Sequence, residues 1–127
     1  MNPHHDAESV MDAFGAAFEA GDIAALESLY APDAVVWHNH DDIATPVAHN
    51  LLVLDWIVQH TASRSYQAVR RWFDGDSVVE QHVVVMTTRS GEEIRCPACL
   101  IVQISGHRIS RFDESIDPAP FARLATG

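Results

Sequence analysis

Basic side chains are scarce in this sequence: eight Lys and Arg stand against eighteen Asp and Glu, a formal net charge of −10. Such a balance repels a phosphate backbone, so nucleic acid is not an expected partner. Long hydrophobic runs are missing as well. Apolar stretches such as Leu51 to Leu54 stop far short of the roughly 20 residues a membrane helix needs. Met1 to Ala7 lacks the basic-then-apolar order of a signal peptide, and the expectation is a cytoplasmic protein with no membrane partner. Low-complexity tracts are absent, and the hydrophobic share of 47% and charged share of 20% are those of an ordinary globular chain.

Cysteine is nearly absent: the two residues are Cys96 and Cys99, in a C-P-A-C spacing. That spacing suits a redox pair at a helix start, but Ile94 to Ile104 reads as a strand. Residues three apart on a strand point to opposite faces, so the thiols are not expected to meet. No second ligand pair accompanies them, which argues against zinc. A length of 127 residues and a mass of 14.0 kDa suffice for a core without disulfide or metal, and the whole chain, 1–127, is read as one domain.

What the sequence does contain is a run of helices followed by a run of strands. Val10, Met11, Phe14, Ala17 and Phe18 recur at helical spacing behind Asp6, a candidate cap. His4 and His5 precede that cap and are assigned to a flexible terminus. Gly21 supplies a stop and Asp22 a fresh cap for a short second helix carrying Ile23, Leu26, Leu29 and Tyr30. The chain is expected to turn at Pro32-Asp33, to run as a strand over Ala34 to Asn39, and to loop through His40 to Ala44. Thr45-Pro46 then opens a third helix, with Thr as cap and Val47, Leu51, Leu54 and Val58 as its buried stripe, through about His60.

From Tyr66 the pattern becomes β-branched: Tyr66 to Phe73, Val78 to Thr88, Ile94 to Ile104 and Arg108 to Ile116, punctuated by glycine turns and ended by Pro118 and Pro120. A tail with Phe121 and Leu124 follows. Three helices and then antiparallel strands predict an α+β fold, with the helices packed on one face of a curved sheet.

The strings Phe18-Glu-Ala-Gly-Asp22 and Leu29-Tyr-Ala-Pro-Asp-Ala-Val-Val-Trp-His-Asn39 resemble the opening of the NTF2-like superfamily, in its SnoaL-like and ketosteroid isomerase-like group. Pro97-Ala-Cys-Leu-Ile-Val-Gln-Ile and Arg108-Ile-Ser-Arg-Phe-Asp-Glu-Ser-Ile-Asp117 look like that group's closing strands. The likeness runs from Val10 to Asp117. It implies a cone enclosing one mostly apolar pocket, a small apolar ligand and no cofactor. It does not imply one activity, because the superfamily holds isomerases, cyclases, hydrolases, dehydratases and non-catalytic members.

Carried onto this chain, the isomerase tyrosine that holds the enolate oxygen falls on Phe14, the aspartate base on His38 and the protonated aspartate on Cys99. Both oxyanion donors are thereby lost or weakened. The epoxide hydrolase set fares no better: its second Asp matches Glu114, but its Arg lands near Gln81 and its first Asp near Val83. What remains is a polar set of His38, Asn39, Gln81 or His82, and Glu114. An inward Glu114 brings Phe112 and Ile116 with it, and only one of Gln81 and His82 can face the pocket. Trp37 and Trp56 are candidate pocket aromatics beside Phe14 and Phe112.

Histidine is the natural general base near neutral pH. His38 and Glu114 are therefore the candidate catalytic pair, with packing of His38 against a loop carbonyl as the bland alternative. His38 and His40 have the spacing of a strand metal pair, but no third ligand follows and no metal is expected. The competing functional reading is a ligand-binding or dimeric accessory protein without catalysis. The apolar character of both faces of the strand carrying Val83 to Met86 favours a homodimer in either case.

Overall fold

The computed structural model describes residues 3–126, with side chains from Asp6 onward. The side chains of His4 and His5 thus lie outside the described residues, as do Met1 and Asn2. The first helix, α1 (Pro3–Ala20), begins ahead of Asp6, which sits in its first turn rather than at its cap. Ala7, Val10, Met11, Phe14, Ala17 and Phe18 form its buried stripe. The helix stops at Gly21, whose φ of 70 suits a residue without a Cβ. There the Gly21 N–H donates to the Phe18 carbonyl at 3.1 Å and the Asp22 N–H to that of Ala17 at 2.9 Å, a glycine-terminated helix end. Arg64 reinforces it, donating to the carbonyls of Phe18 (3.1 Å) and Glu19 (3.2 Å).

Asp22 caps α2 (Ile23–Ser28) by accepting the Ala25 N–H at 3.0 Å. The chain then enters β1 (Tyr30–His38). Pro32-Asp33 is not a turn: it lies in a register irregularity between Tyr30 and Val35, which the strand absorbs. A short β2 (Ile43–Pro46) pairs antiparallel with β1. It occupies part of what reads as a loop in sequence, because ladder bonds to β1 outweigh its weak local preference. Thr45 consequently does not cap the third helix. Its hydroxyl donates to the Val36 carbonyl across the hairpin at 3.3 Å, and α3 (Val47–Gln59) starts from Pro46 without a side-chain cap.

Four long strands follow: β3 (Thr61–Asp74), β4 (Ser77–Thr88), β5 (Glu93–Ser105) and β6 (Arg108–Ile116). β3 begins five residues before Tyr66, the start read from sequence, since Thr61 to Ser65 is polar but paired to the end of β4. The sheet order is β2-β1-β6-β5-β4-β3. All neighbours are antiparallel except β1 and β6, which run parallel. The six-stranded sheet is curved and unclosed, an α+β cone with the helices on its concave side.

Alternation fixes which residues enter the cone. On β5, Ile94, Cys96, Ala98, Leu100, Val102 and Ile104 are buried while Cys99 belongs to the opposite set. The two cysteines are free and face opposite ways. On β4, Val78, Glu80, His82, Val84, Met86 and Thr88 are buried and Gln81 is exposed. No described helix is long and apolar enough to cross a membrane.

Leu100 is fully buried in the cluster that joins the first two helices to the sheet, and Arg95 on the same strand is exposed. Leu100→Ala is expected to lower the unfolding free energy by about 2–5 kcal/mol, with Arg95→Ala within about 0.5 kcal/mol of the parent. Urea denaturation of both variants checks this. Equal effects would mean that the inward and outward sets are misassigned.

Candidate active site

The concave face does not fill. Between helix α3 and the sheet lies a cavity of about 290 Å3, of the scale of a small-molecule site. Its floor is aromatic: Phe14 packs against Phe112 with ring centroids 5.2 Å apart, and Phe18 stacks on Tyr66 at 4.6 Å. Leu54, Ile57, Val84 and Ile116 complete the apolar wall. Trp56, Val53, Ile43 and the C-terminal turn residues Pro118 and Phe121 lie at its margin.

Into this wall the β1 and β6 ladder delivers one polar pair. The parallel register places His38 opposite Glu114, and His38 Nε2 lies 3.0 Å from Glu114 Oε1. A carboxylate only accepts, so the bond is Nε2–H to Oε1, leaving Nδ1 to carry the lone pair of the neutral ring. The hydrogen bond to Glu114 raises the imidazole pKa above its usual 6.5; burial opposes the shift, and the charges of Glu114 and Asp41 add to it. The ring of His40 approaches that of His38 to 5.4 Å, and His40, Asp41 and His49 also border the cavity.

The residues expected to line the cavity divide cleanly. Phe14, Trp56, Phe112 and Ile116 do so together with His38 and Glu114. Trp37 does not: it lies beyond the cavity wall, and its Nε1–H donates to Asp42 at 2.8 Å. Asn39 is a clasp rather than a lining residue. Its side-chain oxygen accepts the Ile116 N–H at 2.9 Å, and its own N–H donates to the Glu114 carbonyl at 3.2 Å. It thus locks the end of β6 beside β1 where Glu114 sits.

Gln81 is on the outer face, in register between Arg70 and Cys99. Cys99, expected at the site of a protonated aspartate, also points outward, between Gln81 and Ser115; β5 alternates without a break and its neighbours Ala98 and Leu100 take the buried face. His82 faces inward but stops one ring short of the cavity: it stacks on Tyr66 at 3.9 Å and 10°, while its Nδ1–H donates to Glu80 at 2.5 Å. Glu80 in turn accepts from Arg71 at 2.7 Å, and Arg71 reaches Asp12 at 2.6 Å.

Several lining residues were not among the candidates, Asn50 and Tyr66 among them. Asn50 is 7% exposed on α3, and Tyr66 stands on β3 between His82 and Phe18. Asn50 carried a legible signal, since it interrupts the Val47, Leu51, Leu54 stripe with a polar group at a core position. Tyr66 carried none beyond its strand preference. Among the described residues no group of three His, Cys, Asp or Glu side chains is placed to hold a metal ion.

The sequence profile of the SnoaL-like domain matches residues 11–112. The chain belongs to the SnoaL-like family, within the NTF2-like superfamily. No curated protein matches it. Solved structures with the same fold include IdmH of Streptomyces antibioticus, a candidate polyketide cyclase, at 17% identity and a TM-score of 0.79 over 95% of this chain and 99% of that one. AclR of Streptomyces galilaeus, a candidate hydroxylase, aligns at 13% identity and a TM-score of 0.83 over 97% of this chain and 83% of its own. A ketosteroid isomerase-like protein of Catenulispora acidiphila, solved with trimethylamine, aligns at 15% identity and 0.71 over 83% and 82%. At such identities the likeness establishes the fold of this SnoaL-like chain, not its reaction.

A pKa raised in the folded state means that the native protein holds its proton more tightly than the unfolded chain. The His38 and Glu114 pair therefore stabilises fully below pH 6.5 and loses that contribution as pH rises through the folded value. NMR titration of the His38 ring should give a midpoint above 6.5 that falls in Glu114→Gln. A midpoint unmoved by that substitution would show that the two groups do not interact in solution.

Proposed function

We propose that this SnoaL-like protein binds a small apolar molecule in the cavity and moves a proton on it, with His38 as general acid and base and Glu114 as the carboxylate that orients the imidazole. The observation that carries the reading is the 3.0 Å contact between these two side chains on the wall of an otherwise apolar chamber. Perturbed titratable groups in a concave apolar site are the usual mark of proton-transfer chemistry. No step in this reading calls on a cofactor.

The lining also limits the charge of the ligand. Among the described residues it includes no Lys or Arg, whereas Asp41 and Glu114 are both present. A carboxylate or phosphate ligand would lose its water here without a cationic partner. A neutral carbonyl or polyketide-like compound fits that chamber better, and the candidate cyclases that share the fold are consistent with it.

Nitrobenzisoxazole serves as a test substrate because its ring opening needs only a base in an apolar site. The C–H proton passes to His38 Nδ1, the N–O bond breaks, and a nitrile and a coloured phenolate form. Turnover is expected to rise with pH to a plateau with its midpoint above 6.5, and His38→Ala should lower kcat by about 100-fold or more. Undiminished turnover in His38→Ala would remove His38 from the role. The second reading, a protein that binds without catalysis, is favoured by the phenylalanine at position 14 and the outward Cys99, which leave the isomerase donors unfilled. Tight binding of the probe with no turnover by the parent protein would select it.

We infer further that the protein is a homodimer joined through the convex sheet face. One row of that face runs Trp72, Val79 and Ile101 across three strands, with Trp72 47% and Ile101 49% exposed. Large apolar groups gathered on an open sheet face mark an association surface. Sedimentation at micromolar concentration should give a dimer, and Ile101→Asp a monomer. A monomeric parent protein would contradict this.

A further inference from the structure

Two polar side chains in the chamber keep bonding capacity that their neighbours do not fill. Asn50 is 7% exposed on the cavity wall, and the Tyr30 hydroxyl beside it can use only one of the donor and acceptor positions of its amide. Tyr66 lines the same cavity, into which it can donate from its hydroxyl. The ring that carries it is held firmly, with His82 stacked on one neighbour contact at 3.9 Å and Phe18 on another at 4.6 Å. His82 is itself pinned through Nδ1 to Glu80, which Arg71 also holds. Behind these two residues the Tyr30 hydroxyl is fully buried without a well-formed bond; it leans on the Asn50 amide and lies near the charge of Glu114.

Polar groups taken out of water without partners carry a desolvation cost that the fold must bear. Elsewhere this protein offsets that cost at several buried groups, though not at His82 Nε2. Glu80, 1% exposed, is met by both Arg71 and His82, and the buried Thr61 hydroxyl donates to the Ile57 carbonyl at 2.8 Å. Polar groups that border a cavity with bonding capacity to spare are placed to bond a ligand there.

We propose that Tyr66 and Asn50 form an oxygen-binding subsite, which donates hydrogen bonds to a carbonyl, enolate or phenolate oxygen of the molecule held beside His38 and Glu114. The inference rests on the ligand chamber proposed above and adds to it the functional group that the ligand must carry. It also supplies the oxygen donors lacking at Phe14 and Cys99, from different elements: a phenol on β3 and an amide on α3. Burial, followed by the nearby charges of Glu114, Tyr30 and Glu80, pushes the Tyr66 pKa up. The phenol therefore keeps its proton and remains a donor across the neutral range.

Two probes of nearly equal size separate the subsite from the chamber: para-nitrophenol, which carries the oxygen, and nitrobenzene, which lacks it. The parent protein should bind para-nitrophenol more tightly, followed by calorimetry and by the visible absorbance of the phenolate. Tyr66→Phe and Asn50→Leu should each reduce that preference by about fivefold to tenfold, with nitrobenzene affinity unchanged. Thermal melts of both variants establish that they are folded, and either one suffices if the other is not. A preference that survives in the folded variants overturns the subsite while leaving the chamber intact. Failure of the parent protein to bind either probe overturns the chamber and the subsite together.

Discussion

The pairing of β1 with β6 is the constraint on which the site depends. These strands lie 76 residues apart at His38 and Glu114, yet among the described residues they are the only parallel neighbours in the sheet. A parallel pair brings residues into register without a hairpin to set it, so the register must come from elsewhere. Two features supply it here. Inward Val36 and Phe112 are partners in the ladder and both are buried, and the Asn39 clasp fixes the far end by bonding to Ile116 and Glu114. A slip of one residue would turn Glu114 out of the cone and bury Asp113 or Ser115 in its place.

The chamber around that pair follows from how little of the concave face α3 covers. Its buried residues are Asn50, Leu51 and Ile57, while Leu52 and Val53 are 72% and 45% exposed. The helix therefore roofs one end of the sheet and leaves space over Phe14, Phe112 and Tyr66. An ion pair in such a place has few waters to screen it, which is why the Glu114 hydrogen bond prevails over burial in setting the His38 pKa.

The inner face thus holds two polar systems of different character. Asp12, Arg71, Glu80 and His82 form a chain in which each charge meets a partner, and it ends in the stack on Tyr66. This is packing by electrostatics, and it makes one wall rigid. The other system, His38 and Glu114 with Asn50 and Tyr66 across the cavity, leaves bonding capacity unused. Rigid support on one side and unpaired donors on the other are what a preorganised binding site needs.

The sequence by itself determined the order of the helices and the long strands, the family and the candidate roles of His38 and Glu114. Those features are local: apolar periodicity, Gly21 and Asp22 at a helix junction, glycine turns between β-branched runs. It left open whether Gln81 or His82 faces inward, and it misassigned Trp37, Asn39 and Cys99 to the cavity. Each error has a tertiary cause. The face of β5 that packs into the core carries Ala98 and Leu100 and leaves Cys99 on the far side, the end of β1 spends Asn39 on β6 backbone, and a turn at Asp42 captures Trp37. Tyr66 and Asn50 entered the site because β3 and α3 happen to border the same space. Which side chains share a cavity depends on how far elements distant in sequence approach one another, and periodicity within one element carries no record of that distance.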